Sequence, residues 1–314
     1  MMSAYDDASV IQVTGDMSAA HTRRVRVVVS VDASAPESLD WTAMALIRCD
    51  FFAETLGLST SMTVILPQRT ESQIGLTGAD VPGDPPVLYL LHGLSDDDTI
   101  WLRRTAIERY VAPLGLAVVM PQVGRSFYAD EEHGNRYWTF LREELPQLCH
   151  GFFRLSARRE DTFVAGLSMG GYGAVKWALR EPDRFAAVAS LSGALDLAFR
   201  AEHPTRPIDP RVWHTAFGDR PVRGTDDDLL TLLDSAAAAP PLYVACGTED
   251  FLYEDNVRFV ERARSVGLPL TVDFSPGEHD WAYWDAKIAD VLAWLPLADR
   301  GGQPTEERAT GRSK

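Results

Sequence analysis

The chain has 314 residues, of which 46% are hydrophobic, and its formal net charge is −15 at pH 7. This length and apolar content supply a full buried core, which argues against a disordered or fibrous protein. Nucleic acids are held mainly by Lys and Arg contacts, so the acidic balance predicts no nucleic-acid partner.

The cysteines and the first residues bear on the cellular location. Cys49, Cys149 and Cys246 show no metal-ligand spacing, and three cysteines cannot all pair within one chain. The start, MMSAYDDASV, is acidic where a signal peptide is basic. No apolar run approaches the roughly 20 residues of a membrane span. We therefore expect a soluble cytoplasmic protein with no membrane contact.

The strongly patterned part of the chain covers residues 44–297. Residues 1–43 predict an N-terminal extension, partly flexible, with one strand over 25–31. Met44 is a candidate alternative start. Residues 298–314 lack apolar side chains and predict a disordered tail.

Apolar runs of strand length alternate with helical patterns through the patterned region. Two strands joined near Gly57 come first. Further strands are predicted at 86–91, 116–120, 162–166, 186–191, 241–246 and 269–274, and helices at 101–113, 136–149, 171–181, 254–265 and 283–295. Residues 68–85 predict an exposed loop, and 194–240 a short helical excursion over one edge of the sheet. Strands that are apolar on both faces and separated by helices predict the α/β class, with a mostly parallel central sheet and helices on both faces.

A serine between glycines stands out at residues 161–179, DTFVAGLSMGGYGAVKWAL. The segment predicts a strand, a sharp turn at Ser168 and a helix. Side chains two residues on either side of such a turn would collide with the neighbouring strand and helix, and Gly166 and Gly170 avoid that collision. The helix N-terminus favours developing negative charge. We therefore predict Ser168 as a nucleophile. A chance GxSxG in a glycine-rich turn is the alternative, and the strand-turn-helix context argues against it.

A serine nucleophile needs a base, and the base needs an acidic group. In this type of fold the order along the chain is nucleophile, acid, histidine. His279, in LTVDFSPGEHDW, is the only histidine after residue 214 and is the predicted base. The strand PLYVACGTED ends at the adjacent Glu249 and Asp250. We prefer Asp250 as the acid because it lies in the strand-end loop just before a predicted helix. Glu249 remains the alternative acid.

Backbone donors and aromatic side chains complete the predicted site. The Met169 N–H follows the nucleophile, and the Leu94 N–H follows the strand in PVLYLLHGLS; both are predicted oxyanion donors. His92 has a structural interpretation. Most aromatic residues in these loops are interpreted as packing, and those predicted to line a substrate pocket are Trp101, Tyr253 and Trp281.

Five motifs in this order, LLHGLS, TFVAGLSMGGYGAVKWAL, LSGALDL, CGTEDFLY and GEHDWAYW, give the chain a family resemblance. It resembles the esterase D family of α/β-hydrolases, and in particular the bacterial tributyrin esterases, small carboxylesterases that favour short acyl chains. The resemblance covers about residues 44 to 297. It implies an α/β-hydrolase fold with Ser168, Asp250, His279, Leu94 and Met169 in the roles given above.

The function expected is that of a serine carboxylesterase, which hydrolyses short-chain acyl esters of small molecules through an acyl-enzyme intermediate on a Ser-His-Asp triad. No cofactor and no metal are predicted, because the chain lacks GxGxxG, GK[ST] and HExxH motifs. Related esterases often form oligomers, so a homo-oligomer is compatible with the resemblance.

Three alternatives stay open. S-formylglutathione hydrolases belong to the same family but typically carry a GHSMGGHG-like turn, where this chain has GLSMGGYG. An acyltransferase would use an alcohol in place of water. A binding protein on a hydrolase scaffold would need no chemistry, and the presence of all three catalytic residue types argues against it.

Overall fold

The computed structural model describes residues 45–68, 83–203, 208–235 and 239–297. The predicted strand over 25–31, the start at Met44, the tail from residue 298 and most of the loop at 68–85 lie outside these ranges. The strands within the described ranges are β1 (Ala45–Ala53), β2 (Leu58–Leu66), β3 (Val87–Leu91), β4 (Ala117–Pro121), β5 (Thr162–Leu167), β6 (Ala187–Leu191), β7 (Leu242–Gly247) and β8 (Leu270–Ser275).

These strands form one sheet in the order β1-β2-β4-β3-β5-β6-β7-β8. The pairs β1/β2 and β2/β4 are antiparallel, and every other neighbouring pair is parallel. Every residue of β3 to β7 is buried, as expected for strands covered on both faces. The mostly parallel sheet predicted from the sequence is therefore confirmed.

Helices connect the parallel strands. In the described ranges they are α1 (Ile100–Arg104), α2 (Ile107–Val111), α3 (Tyr137–Thr139), α4 (Leu145–Phe152), α5 (Met169–Arg180), α6 (Leu197–Glu202), α7 (Pro210–Phe217), α8 (Leu229–Ser235), α9 (Tyr253–Ser265) and α10 (Trp281–Trp294). A π-helical turn at Phe140–Glu144 joins α3 to α4. Four helices begin at an aspartate whose carboxylate accepts a backbone N–H of the first turn: Asp196, Asp209, Asp228 and Asp280. None of the helices in the described part of the chain is long and apolar enough to cross a membrane.

The helix predicted over 101–113 is wrong, because the chain breaks at Thr105 into α1 and α2. Thr105 has an extended backbone, and its hydroxyl donates to the Trp101 carbonyl at 2.6 Å. The next N–H, that of Ala106, donates to the Asp285 carboxylate of α10 at 2.9 Å. The distant helix α10 thus satisfies the Ala106 N–H, which a continuous helix would bond internally.

Two buried clusters cover the two faces of the sheet. Alternate residues of β3 divide between them: Tyr89 belongs to one cluster, and Leu88 and Leu90 to the other. Helix α5 is buried along almost its whole length. Its Trp177 ring lies 5.2 Å from Tyr89 and 5.1 Å from Phe185. The helix that follows Ser168 is therefore a core element.

The start of α5 lies directly against the end of β3. A Cβ placed on Gly170 would lie 2.3 Å from the Leu91 carbonyl oxygen and 2.8 Å from that of His92. A Cβ on Gly166 would lie 2.4 Å from the Gly170 backbone. These contacts are backbone atoms that cannot rotate away, so glycine is required at both positions for this approach.

We expect Gly170→Ala to lower the free energy of unfolding by about 1 to 3 kcal/mol, because the added methyl overpacks this contact. Gly151→Ala is the matched control, since Gly151 is an exposed residue of α4 and a Cβ added there would meet nothing within 4 Å. That change should stabilise the protein by up to about 1 kcal/mol through helix propensity. Urea unfolding measures both, and equal effects would contradict the close approach.

Candidate active site

Ser168 lies at the turn between β5 and α5 with φ 53° and ψ −116°. This is an unfavourable conformation for a residue other than glycine. Three backbone bonds hold it: the Ser168 N–H donates to Leu191 O at 2.9 Å, and Ser168 O accepts the N–H groups of Tyr172 and Ala194, each at 3.1 Å. The turn is thus fixed both by its own helix and by the end of β6.

The side chains of Ser168, His279 and Asp250 are joined by hydrogen bonds. His279 Nε2 lies 3.1 Å from Ser168 Oγ. His279 Nδ1 lies 2.8 Å from Asp250 Oδ2 and 3.0 Å from Oδ1. A carboxylate only accepts, so the ring proton belongs on Nδ1 and Nε2 is left to accept the serine proton. This arrangement can remove a proton from the Ser168 hydroxyl.

The structure distinguishes between the adjacent Glu249 and Asp250, either of which the sequence allowed as the acidic partner of His279. The Asp250 carboxylate is fully buried and also accepts the Leu252 N–H at 2.8 Å. Glu249 contacts the backbone of the loop that precedes His279: its carboxylate accepts the Gly277 N–H at 2.7 Å, and its own N–H donates to Gly277 O at 3.1 Å. The bond from Gly277 lowers the pKa of Glu249. Asp250 therefore contacts His279, while Glu249 joins the two loops.

The two predicted oxyanion donors are the backbone N–H groups of Met169, directly after Ser168, and of Leu94, in the loop after β3. Met169 is the first residue of α5, and the Ser168 side chain does not cap this helix. Within the described ranges, no acceptor is bonded to the Leu94 N–H. The preceding carbonyl, that of Gly93, accepts from His92 Nδ1 at 2.7 Å and from the Asp96 N–H at 3.2 Å. In a trans peptide the N–H points opposite to the C=O, so these bonds also set the direction of the Leu94 N–H.

His92 is a buried ring whose two nitrogens have different partners. Nδ1 donates to Gly93 O, and Nε2 accepts the Val123 N–H at 3.2 Å. One donor and one acceptor fit the neutral imidazole. Burial lowers the pKa of His92, and the carboxylates of Asp96, Asp97 and Asp98 partly oppose this change. Both ring nitrogens are bonded to the backbone of the loops after β3 and β4, which agrees with the structural interpretation.

The three predicted pocket residues occupy different positions. Trp281 is half-buried and its ring lies 5.5 Å from that of Trp101. Trp101 has no exposed surface, and its Nε1–H donates to Leu91 O at 3.2 Å. Trp101 is therefore a buried packing partner of Trp281, and the prediction that it lines a substrate pocket is wrong. Tyr253 packs against Phe274 of β8, with the ring centroids 5.2 Å apart.

The rings that flank His279 are Phe251 and Trp284, neither of which the sequence analysis selected. The Phe251 ring centroid lies 4.4 Å from that of His279, and the Trp284 centroid lies 4.7 Å from it at 89°. Trp284 in turn contacts Trp281 at 5.1 Å. The signal for Phe251 was its place directly after Asp250, which puts it in the same loop.

A doubly covered, mostly parallel sheet, with a serine at the turn after the central strand β5 that is hydrogen-bonded to a histidine in the loop after β8, defines a serine hydrolase. The model of the Esterase family, described as "Putative esterase", matches residues 60–295. The chain belongs to this family and, as predicted, is a carboxylic ester hydrolase.

Similar proteins include an enzyme named acetyl esterase from Caldicellulosiruptor saccharolyticus, 28% identical over 80% of this chain and 98% of that protein. Among solved structures, FphF, a fluorophosphonate-binding serine hydrolase of Staphylococcus aureus, is 36% identical over 80% of this chain and 98% of its own, with a TM-score of 0.72. The S-formylglutathione hydrolase FrmB of the same organism is 36% identical over 81% of this chain and 99% of its own, with a TM-score of 0.70.

We expect His92 to make the protein less stable below pH 6.5. Because its folded pKa lies below the unfolded value of 6.5, its stabilising effect is complete above pH 6.5 and is lost as the pH falls toward the folded value. Urea unfolding of the wild type and of His92→Gln at pH 7.5, 6.5 and 5.5 measures this effect. In that window the wild type should lose up to about 1.4 kcal/mol per pH unit more than the variant. Parallel curves would show that His92 titrates alike in both states.

Proposed function

We propose that this enzyme is a serine carboxylesterase that hydrolyses short-chain acyl esters, as the tributyrin esterases of the esterase D family do. In this proposal Ser168 is the nucleophile, His279 the general base and Asp250 the acid that orients it. The observation that carries the proposal is the unbroken line of hydrogen bonds from Ser168 Oγ through the His279 ring to Asp250. The cytoplasmic location, the homo-oligomer and the independence from cofactor and metal remain predictions within it.

The proposed mechanism is acyl transfer in two halves. Ser168 Oγ attacks the ester carbonyl carbon while His279 Nε2 accepts the hydroxyl proton, and Asp250 stabilises the imidazolium. The carbonyl oxygen becomes an oxyanion, which the Leu94 and Met169 N–H groups stabilise. Collapse breaks the bond to the alcohol, which takes the proton from Nε2. Water then attacks the acyl-enzyme by the same steps in reverse and releases the acid.

Two observations support a short acyl chain. A relative covering four fifths of this chain is named acetyl esterase. In addition, the bulky rings of Phe251 and Trp284 both pack against the His279 ring, which favours a small acyl group beside it.

Thioester hydrolysis is the second candidate. The structure named S-formylglutathione hydrolase matches 81% of this chain at 36% identity. The same three side chains would attack a thioester carbonyl and release a thiol. The two candidate reactions differ in their leaving group, an alcohol or a thiol. Rates on ester and thioester substrates therefore distinguish them.

We expect hydrolysis of p-nitrophenyl acetate and butyrate to exceed that of the palmitate ester, and Ser168→Ala to lower the rate by about 10⁴-fold or more. Rates of the acetate-to-palmitate series and of S-formylglutathione, with and without added alcohol, test this. Dominant S-formylglutathione turnover would replace the esterase with the thioesterase, and a new ester from the alcohol would indicate an acyltransferase. Activity that survives in Ser168→Ala would contradict the nucleophile.

We expect Asp250→Asn to lower kcat by about 10³- to 10⁴-fold, because an amide favours the wrong tautomer of His279. The control is Glu249→Gln, which keeps a carbonyl acceptor for Gly277 and should change kcat by less than about threefold. Steady-state kinetics on p-nitrophenyl acetate measures both. A larger loss in the Glu249 variant would assign the acid to the other residue.

A further inference from the structure

Tyr128 has three unusual features that the mechanism above does not use. It follows β4, is fully buried and has φ 51°, in the left-handed region. Its phenol donates to the carbonyl oxygen of His92 at 2.9 Å. Burial raises the pKa of Tyr128 well above its usual value, so the phenol remains a donor at neutral pH. A strained, buried tyrosine thus holds the backbone at the end of β3.

The peptide that Tyr128 holds is directly connected to the Leu94 N–H. In the His92–Gly93 peptide, Tyr128 fixes the oxygen, and the Gly93 N–H donates to Asp96 Oδ2 at 3.2 Å. In the next peptide, the His92 ring and the Asp96 N–H fix the Gly93 oxygen. These hydrogen bonds therefore orient two successive peptide planes, His92–Gly93 and Gly93–Leu94. The second plane contains the Leu94 N–H.

Helix α5 in turn holds Tyr128. The Tyr128 carbonyl accepts from Lys176 Nζ at 3.0 Å, and its ring packs on Gly173, where a Cβ would lie 2.4 Å from the ring. The Tyr128 N–H donates to Ser126 Oγ at 3.1 Å. The helix that begins at Met169 therefore also sets the position of Tyr128. The positions of both proposed oxyanion donors, the Leu94 and Met169 N–H groups, therefore depend on α5.

We propose that Tyr128 is a positioning residue, whose hydroxyl orients the His92–Gly93 peptide so that the Leu94 N–H faces the oxyanion formed when Ser168 attacks the ester. The inference rests on the proposed function. Tyr128 therefore affects stabilisation of the transition state and not substrate binding. The reason is that the Leu94 N–H forms a stronger hydrogen bond with the charged oxyanion than with the neutral ester carbonyl.

Tyr128→Phe removes only the hydroxyl. We expect kcat for p-nitrophenyl acetate to fall about tenfold, less than the 10²- to 10³-fold typical of a lost oxyanion donor, with KM within about twofold. Affinity for a trifluoromethyl ketone, which forms a tetrahedral adduct with the serine, should fall by the same factor as kcat/KM.

Tyr243→Phe is the control. Tyr243 is a buried residue of β7, and its hydroxyl also has an acceptor, the Asp273 carboxylate at 3.1 Å. Both variants should lower the urea midpoint by similar amounts, while only Tyr128→Phe lowers kcat and ketone affinity. A kcat within twofold of wild type in Tyr128→Phe, or an equal loss in both variants, would overturn the inference.

Ser126→Ala provides a test that retains the phenol. It removes the acceptor of the Tyr128 N–H, and we expect a smaller fall in kcat, about threefold, again with KM unchanged. If Tyr128→Phe fails to fold, an unchanged kcat in Ser126→Ala overturns the inference. Failure of the proposed function would appear in the wild type as absence of ester hydrolysis, whereas failure of this inference would appear only in the variants.

Discussion

The contact between the start of α5 and the end of β3 is the constraint on which the site depends. Gly170 lies so near the Leu91 and His92 carbonyls that no side chain fits between them. This approach brings the first N–H groups of α5 beside the turn after β3, and it leaves Ser168 at a positive φ. A strained residue of this kind costs about 1 to 3 kcal/mol. The burial of α5 in the hydrophobic cluster on one face of the sheet offsets that cost and prevents the turn from relaxing.

Burial also determines the electrostatics beside the serine. The Asp250 carboxylate has no exposed surface, so it would be costly without partners. The Leu252 N–H and the His279 ring supply them. Phe251 and Trp284 pack against the His279 ring and leave its side chain 16% exposed, so the Asp250 end of this hydrogen-bonded group is buried while the ring keeps some contact with solvent. The neighbouring Glu249 carboxylate is bonded to backbone and stays at the surface.

The sequence predicted those features that depend on local chemistry. The apolar runs located β3 to β7, and the glycines around Ser168 located the turn, since each signal depends on residues adjacent in the chain. Contacts between distant segments gave no such signal. The break at Thr105 depends on Asp285, 179 residues away from its partner Ala106. The placement of Phe251 and Trp284 on the His279 ring likewise depends on how two loops pack.

Lys176 is a buried lysine whose hydrogen bonds connect two loops to α5. Burial lowers the pKa of this lysine, because a charged group is disfavoured in the interior. Its partners, the Asp227 carboxylate at 2.5 Å and the Tyr128 carbonyl, only partly compensate. An apolar residue of similar volume is often as stable or more stable at such a site. A buried amine does what an apolar side chain cannot, because it bonds two loops in fixed directions to α5, the helix that begins directly after Ser168.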